Sequence, residues 1–133
     1  MLLPFSKLSD DELVARFVLP KSWVRRKDQS VKQDAFVPYP HTELSVTRHK
    51  NISVEKLWKH GKSVAKKRKK SLLGRADVRI SDVRNQNIEA APRPILWKNW
   101  NHACLTGWPP DKPLQKMIAQ QLAAQAQYVA FEV

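Results

Sequence analysis

Hydrophobic positions recur along this chain in two rhythms. From Glu43 to Arg48 they alternate: Leu44 and Val46 fall on one side, and Glu43, Ser45 and Thr47 on the other. That period of two predicts a half-buried strand. Ten residues on, Val54, Leu57, Trp58, Gly61, Val64 and Ala65 recur at helical spacing, with Ser53 placed to cap the first turn. This helix ends in the cationic run Lys66-Lys67-Arg68-Lys69-Lys70, and Gly74 closes the region.

Two further helices are predicted. Ser9-Asp10-Asp11-Glu12 has the spacing of a capping box. Leu13, Val14, Phe17 and Val18 follow as an apolar face and Pro20 ends it, so a short helix is expected from about residue 10 to 18. Near the other end Asp111 caps a helix with Pro113 in its first turn, and Leu114, Met117, Ile118, Leu122 and Val129 form its expected buried face. Shorter signals mark strands at Ala35–Val37, around Val78 and Ile80, and at Ile88–Ala91. Residues 21–34 read as a loop or bent ribbon, Ser81–Arg84 as a turn or a single helical turn, and Gly107–Pro110 as a rigid turn. The elements do not form regular βαβ units. The expectation is therefore one α+β domain spanning residues 1–133, with about three helices packed on a short, largely antiparallel sheet.

Composition narrows the class. Cys104 is the single cysteine, so no internal disulfide is available and a reducing, cytoplasmic setting is expected. No apolar run reaches the length of a membrane span. The 133 residues hold 24 Lys plus Arg against 12 Asp plus Glu, a formal charge of +12. Self-repulsion of that size opposes compaction, and a polyanionic partner relieves it. Nucleic acid, an acidic protein and an anionic surface are the candidates.

The charge is concentrated. From Lys56 to Arg75 the chain carries Lys56, Lys59, Lys62, Lys66, Lys67, Arg68, Lys69, Lys70 and Arg75 without one acid. Solvated helix faces normally mix signs, whereas a row of cations matches successive phosphates and releases their counterions. The run Lys66–Lys70 also fits a nuclear localisation signal. Aromatic residues are interleaved with cations elsewhere: Trp23 lies near Arg25 and Arg26, Trp58 beside Lys59, and Trp97-Lys98-Asn99-Trp100 holds two indoles three residues apart. Trp58, on the helical stripe, is assigned to the core. Trp97 and Trp100 are candidate platforms for unpaired bases.

Catalytic signals are weaker. His41 and His102 are candidates for an acid–base pair of a metal-independent ribonuclease or nucleotide-modifying enzyme, with Arg48 stabilising the phosphate. His41, Glu43, His102 and Cys104 are also metal-ligand types, but His-x-Glu and His-x-Cys are not diagnostic spacings. There is no glycine-rich phosphate loop, paired CxxC, HExxH or GxSxG. No metal site and no cofactor are expected.

Glu43-Leu44-Ser45-Val46-Thr47-Arg48, Gly74-Arg75-Ala76-Asp77 with Asp82-Val83-Arg84, and Asn101-His102-Ala103 before Gly107-Trp108-Pro109 resemble a group of small bacterial proteins to which no activity is attached. The resemblance covers roughly residues 10–128. It implies a bacterial or phage source and directs attention to Arg48, Asp82, Arg84 and His102. The expected function is nucleic-acid binding, with RNA or single strands favoured over duplex DNA, as a small subunit of a larger nucleoprotein or defence-type complex. The alternatives are the His41/His102 enzyme and a non-enzymatic adaptor that docks on an acidic protein.

Overall fold

The computed structural model describes residues 6–132. Among them the strands are β1 (Leu13–Val18), β2 (Leu44–Arg48), β3 (Gly74–Arg79), β4 (Glu89–Pro92), β5 (His102–Thr106) and β6 (Gln127–Ala130). The helices are α1 (Val54–Lys67), α2 (Ile80–Arg84) and α3 (Lys112–Gln125). Short 3-10 turns cover Lys21–Trp23 and Gln33–Phe36. The strands form one sheet in the order β4-β5-β2-β1-β3-β6, and every neighbouring pair is antiparallel. The protein is an α+β domain, with three helices and a six-stranded sheet among the described residues.

The pleat assigns side chains to two faces. On one face Val14 and Val18 of β1, Val46 of β2, Ala76 and Val78 of β3 and Leu105 of β5 join Phe36 and the α3 residues Ala119 and Leu122 in the main core. On the other face Ala15 and Phe17 meet Leu57 of α1, with Ile52, Val64 and Leu72 packed around them. The two long helices thus cover opposite faces. A polar layer lies on the α1 side: the Arg75 guanidinium sits 4.6 Å from the Trp58 ring, both Asp77 oxygens accept from its Nε, and His49 Nε2 lies 2.8 Å from Asp77.

The segment after Ser9 is the central strand, not a helix. A pattern of apolar residues at 13, 14, 17 and 18 fits an amphipathic helix, but it also fits a strand covered on both faces. Part of the capping-box geometry forms, since the Ser9 amide donates to Glu12 Oε2 at 3.3 Å. The Ser9 hydroxyl turns to Asp11 instead of a helical amide, and Glu12 points into the protein. Similarly, Ala35 and Phe36 belong to a 3-10 turn that plugs the core rather than to a strand.

The helix at 112–125 forms where expected, but its inward face is shifted. Gln115, Ala119 and Leu122 are buried, whereas Leu114 and Met117 are exposed and Val129 belongs to β6. Gln115 explains the choice: its Nε2 donates to the carbonyls of Pro109 (2.8 Å) and His41 (3.1 Å), tying the helix start to two loops. Asp111 occupies the N-cap position without a side-chain capping bond.

Close approach of α1 to β1 requires Gly61. A Cβ there would lie 2.8 Å from two Phe17 ring atoms and 3.0 Å from Leu72. Alanine would gain roughly 1 kcal/mol of helix propensity, but overpacking a core contact costs about 1–3 kcal/mol. The clash wins where the obstacle is a buried ring. Gly61→Ala is expected to lower the midpoint of denaturant unfolding, and a raised midpoint would show that α1 is not seated as described.

Candidate nucleic-acid interface

The site is built outward from a buried ion pair. Arg48 is 1% exposed and grips Glu12 through two bonds, Nε to Oε1 at 2.6 Å and Nη2 to Oε2 at 3.1 Å. Its third nitrogen, Nη1, donates to the Ser6 carbonyl at 2.9 Å. The Arg48 backbone is bracketed in turn by Asn101. The Arg48 amide donates to the Asn101 carbonyl at 2.8 Å, and Asn101 Nδ2 returns a bond to the Arg48 carbonyl at 3.0 Å. Asn101 Nδ2 also reaches the Lys50 carbonyl, and Asn99 Nδ2 reaches Thr47 Oγ1 at 3.1 Å. These asparagines fasten the loop between β4 and β5 to the end of β2.

That loop carries the two candidate tryptophans. An Ile95–Asn99 bridge closes it, and the Lys98 amide donates to the Ile95 carbonyl at 3.1 Å to form a tight turn. Trp97 stands third in the turn at φ +66°, where glycine or asparagine is the usual occupant. Its side chain is 87% exposed. Trp100 is more than one-third exposed and meets Trp97 edge to face, with ring centroids 5.7 Å apart. A bulky residue in strained backbone, turned to solvent, contributes nothing to the core. Such strain collects at functional sites.

Helix α1 forms the opposite wall. Ser53 caps it as predicted, its Oγ accepting from the Lys56 amide at 3.0 Å. With Leu57, Gly61 and Ala65 turned inward, Lys56, Lys59, Lys62, Lys66 and Lys67 point to solvent. Ile52, Lys56 and His60 from this side and Trp97, Lys98, Trp100 and Asn101 from the loop enclose a cleft of about 270 Å³. No carboxylate of the described residues lines it. Partial burial, reinforced by the charge of Lys56, holds the His60 imidazole below its usual pKa, so it is mostly neutral at pH 7.

The other predicted residues divide into three groups. Lys59, Lys62 and Lys66–Lys70 are exposed and continue from the cleft along α1 and past its end. Arg25 and Arg26 are exposed, but their segment packs through Trp23, Val24 and Val31 against the main core, on the opposite face from α1. Arg25 also holds Ser30 Oγ and the Val31 carbonyl. Arg75 is buried beneath Trp58 and paired with Asp77, so it leaves the outward row of cations.

The acid–base pair does not assemble. In the β2–β5 ladder Leu44 faces Leu105 and Thr47 faces His102. His102 therefore lies about 10 Å along the ladder from Leu44, at roughly 3.3 Å per residue. His41 stands three residues beyond the far end, beside α3, where its carbonyl accepts from Gln115. The His102 ring bonds the Arg93 carbonyl at 2.8 Å. Arg48 is enclosed and already neutralised by Glu12, so it offers no cation to a phosphate. In this arrangement His41 and His102 stand toward opposite ends of the β2–β5 ladder, and Arg48 is not available between them. Arg84 is structural too, bonding the Leu8 carbonyl and pairing with Asp10 and Glu89, while Asp82 lies half-buried in α2.

The described residues contain no cluster of three or more His, Cys, Asp or Glu side chains able to hold a metal. Burial pushes the Cys104 thiol up from its usual pKa, with nearby Glu43 acting in the same direction. No helix among the described residues is long and apolar enough to cross a membrane. Ile52, His60 and Asn101 were not singled out as binding residues in the sequence; His60 lies one helical turn from Lys56, which is the signal that places it on the basic side. No protein-family model, curated protein or solved structure matches the chain.

If Trp97 serves binding and not folding, a residue better suited to positive φ should replace it without structural loss. Trp97→Asn is expected to melt at or above the wild-type temperature while losing affinity for single-stranded oligonucleotide. A clear fall in melting temperature would assign Trp97 a structural role.

Proposed function

We propose that this protein binds nucleic acid, taking single strands or RNA in preference to duplex DNA, and that it does so as a small subunit of a larger bacterial or phage nucleoprotein assembly. The observation that carries the reading is the meeting of two exposed indoles with Lys56, Lys98 and His60 around one acid-free cleft. The aromatic wall offers faces on which bases stack, at about 1–3 kcal/mol per base. The cations of α1 offer successive partners for the phosphates that follow. At about 1.5 Å per residue, the exposed lysines from Lys56 to Lys67 extend this track by roughly 16 Å. The formal charge of +12 supplies long-range attraction, and the cleft supplies the short-range preference.

Exposed Leu114 and Met117 on α3 support the assembly part of the reading, because they leave an apolar strip on the other side of the sheet from the cationic helix. A protein neighbour on α3 would leave α1 and the tryptophan loop free for the nucleic acid.

Substituting Lys66, Lys67, Arg68, Lys69 and Lys70 together by glutamine tests the track. For every phosphate that no longer meets a cation, the slope of log affinity against log salt should flatten by about 0.7 for a single strand. Binding is expected to weaken at low salt, where tryptophan fluorescence is still quenched by oligonucleotide because the cleft is intact. An unchanged salt slope would remove this run from the footprint.

A further inference from the structure

We propose that the cleft between α1 and the tryptophan loop seats one unpaired nucleotide, its base against Trp97 and Trp100 and its phosphate held by Lys56, Lys98 and His60. The protein would thereby discriminate an unpaired nucleotide from a fully paired strand. This rests on the reading of the cleft as a nucleic-acid site and names what it holds.

Three features select such a ligand. At about 270 Å³ the cleft is the size of one nucleotide and far too narrow for a duplex. Its walls combine an aromatic surface with cations and lack any carboxylate, which favours an aromatic anion and rejects a cation. Asn101, fixed by the two bonds that its Nδ2 donates to the carbonyls of Arg48 and Lys50, also lines the cleft and adds a neutral polar group to its wall. A base inside a duplex is stacked on both faces and cannot enter. A bulged or single-stranded base is already free of that stacking, so the cost of turning it into the cleft is small.

His60 makes the phosphate's position testable. From its own helix it faces Lys56, and from the tryptophan loop it faces Lys98. Partial burial, reinforced by the charge of Lys56, holds its pKa below the usual value in the free protein. A phosphodiester placed among the three groups reverses that balance, because it stabilises the imidazolium. Binding then draws a proton onto His60, and affinity must rise as the pH is lowered into the range where the imidazole titrates. The sign follows from linkage: the complex binds more protons than the free protein, so protons favour the complex.

The test is an anisotropy titration at fixed salt with three labelled probes: a single strand, a perfect duplex, and the same duplex carrying one bulged nucleotide. The single strand and the bulged duplex are expected to bind about tenfold or more tighter than the perfect duplex, as one stacked base would require. Making the bulged position abasic should return affinity to the duplex level. His60→Gln should weaken binding of the bulged duplex and abolish the gain in affinity between pH 7.5 and 5.5. Equal binding of perfect and bulged duplexes by the wild-type protein would overturn the proposal while leaving general polyanion binding intact. Failure of all three probes to bind would overturn both readings. A pH response unchanged by His60→Gln would remove the phosphate from this position.

Discussion

The Glu12–Arg48 ion pair is the constraint from which the site follows. Both side chains are almost fully enclosed and joined by two hydrogen bonds. Desolvating two charges consumes most of their Coulombic attraction, so a pair of this kind is better understood as fixing geometry than as adding stability. Its loss is another matter, because removing one partner strands a charge in the interior at about 3–5 kcal/mol. The pair locks the segment before β1 onto the end of β2. The Glu12 carbonyl also accepts from the Ile80 amide, placing the start of α2. On the far side of Arg48, Asn101 receives and returns backbone bonds, and the tryptophan loop hangs from that asparagine.

The molecule then separates stabilising and binding groups by face. Its main core lies between the sheet and α3, with Phe36 plugging one end. Helix α1 covers the opposite face through small contacts, Gly61 on Phe17 and Leu57 on Ala15, which leaves its outer surface to lysine. The exposed cations from 56 to 70 are close enough to repel one another, and the acid-free helix accepts that cost. Acidic residues are not absent from the protein. Asp10, Glu12, Asp77 and Glu89 are engaged with arginines, so these carboxylates consolidate the fold, and among the described residues no lysine takes part in an ion pair.

Much of the architecture was legible from local pattern. The alternation at 43–48 became β2, and the stripe beginning at Val54 became a helix capped by Ser53. The segment at 13–18 was misread because a strand buried on both faces loses the period of two that identifies it. The face of α3 was misassigned for a related reason: hydrophobicity pointed to Leu114 and Met117, whereas the core selected Gln115 for its hydrogen bonds and Ala119 for its size. Candidate site residues were legible as two separate signals, basic tract and paired tryptophans. Their convergence was not, because it depends on the asparagine bonds that fold the loop after β4 back onto β2. His41 and His102 illustrate the converse, being suggestive residue types that the β2–β5 register carries apart.

The five tryptophans supply the most direct test of where ligand binds. Their indole N–H signals report separately in a two-dimensional ¹H–¹⁵N spectrum. Trp97 and Trp100 line the cleft, Trp108 is buried with its Nε1 donating to Leu105, Trp23 packs near the main core, and Trp58 lies over Arg75. On titration with a short single-stranded oligonucleotide, the Trp97 and Trp100 signals should move together and saturate at the same ligand concentration, while Trp108 and Trp23 stay fixed. Shifts confined to Trp23 or Trp108, or saturable binding that leaves Trp97 and Trp100 unmoved, would contradict the placement of the nucleic-acid interface at this cleft.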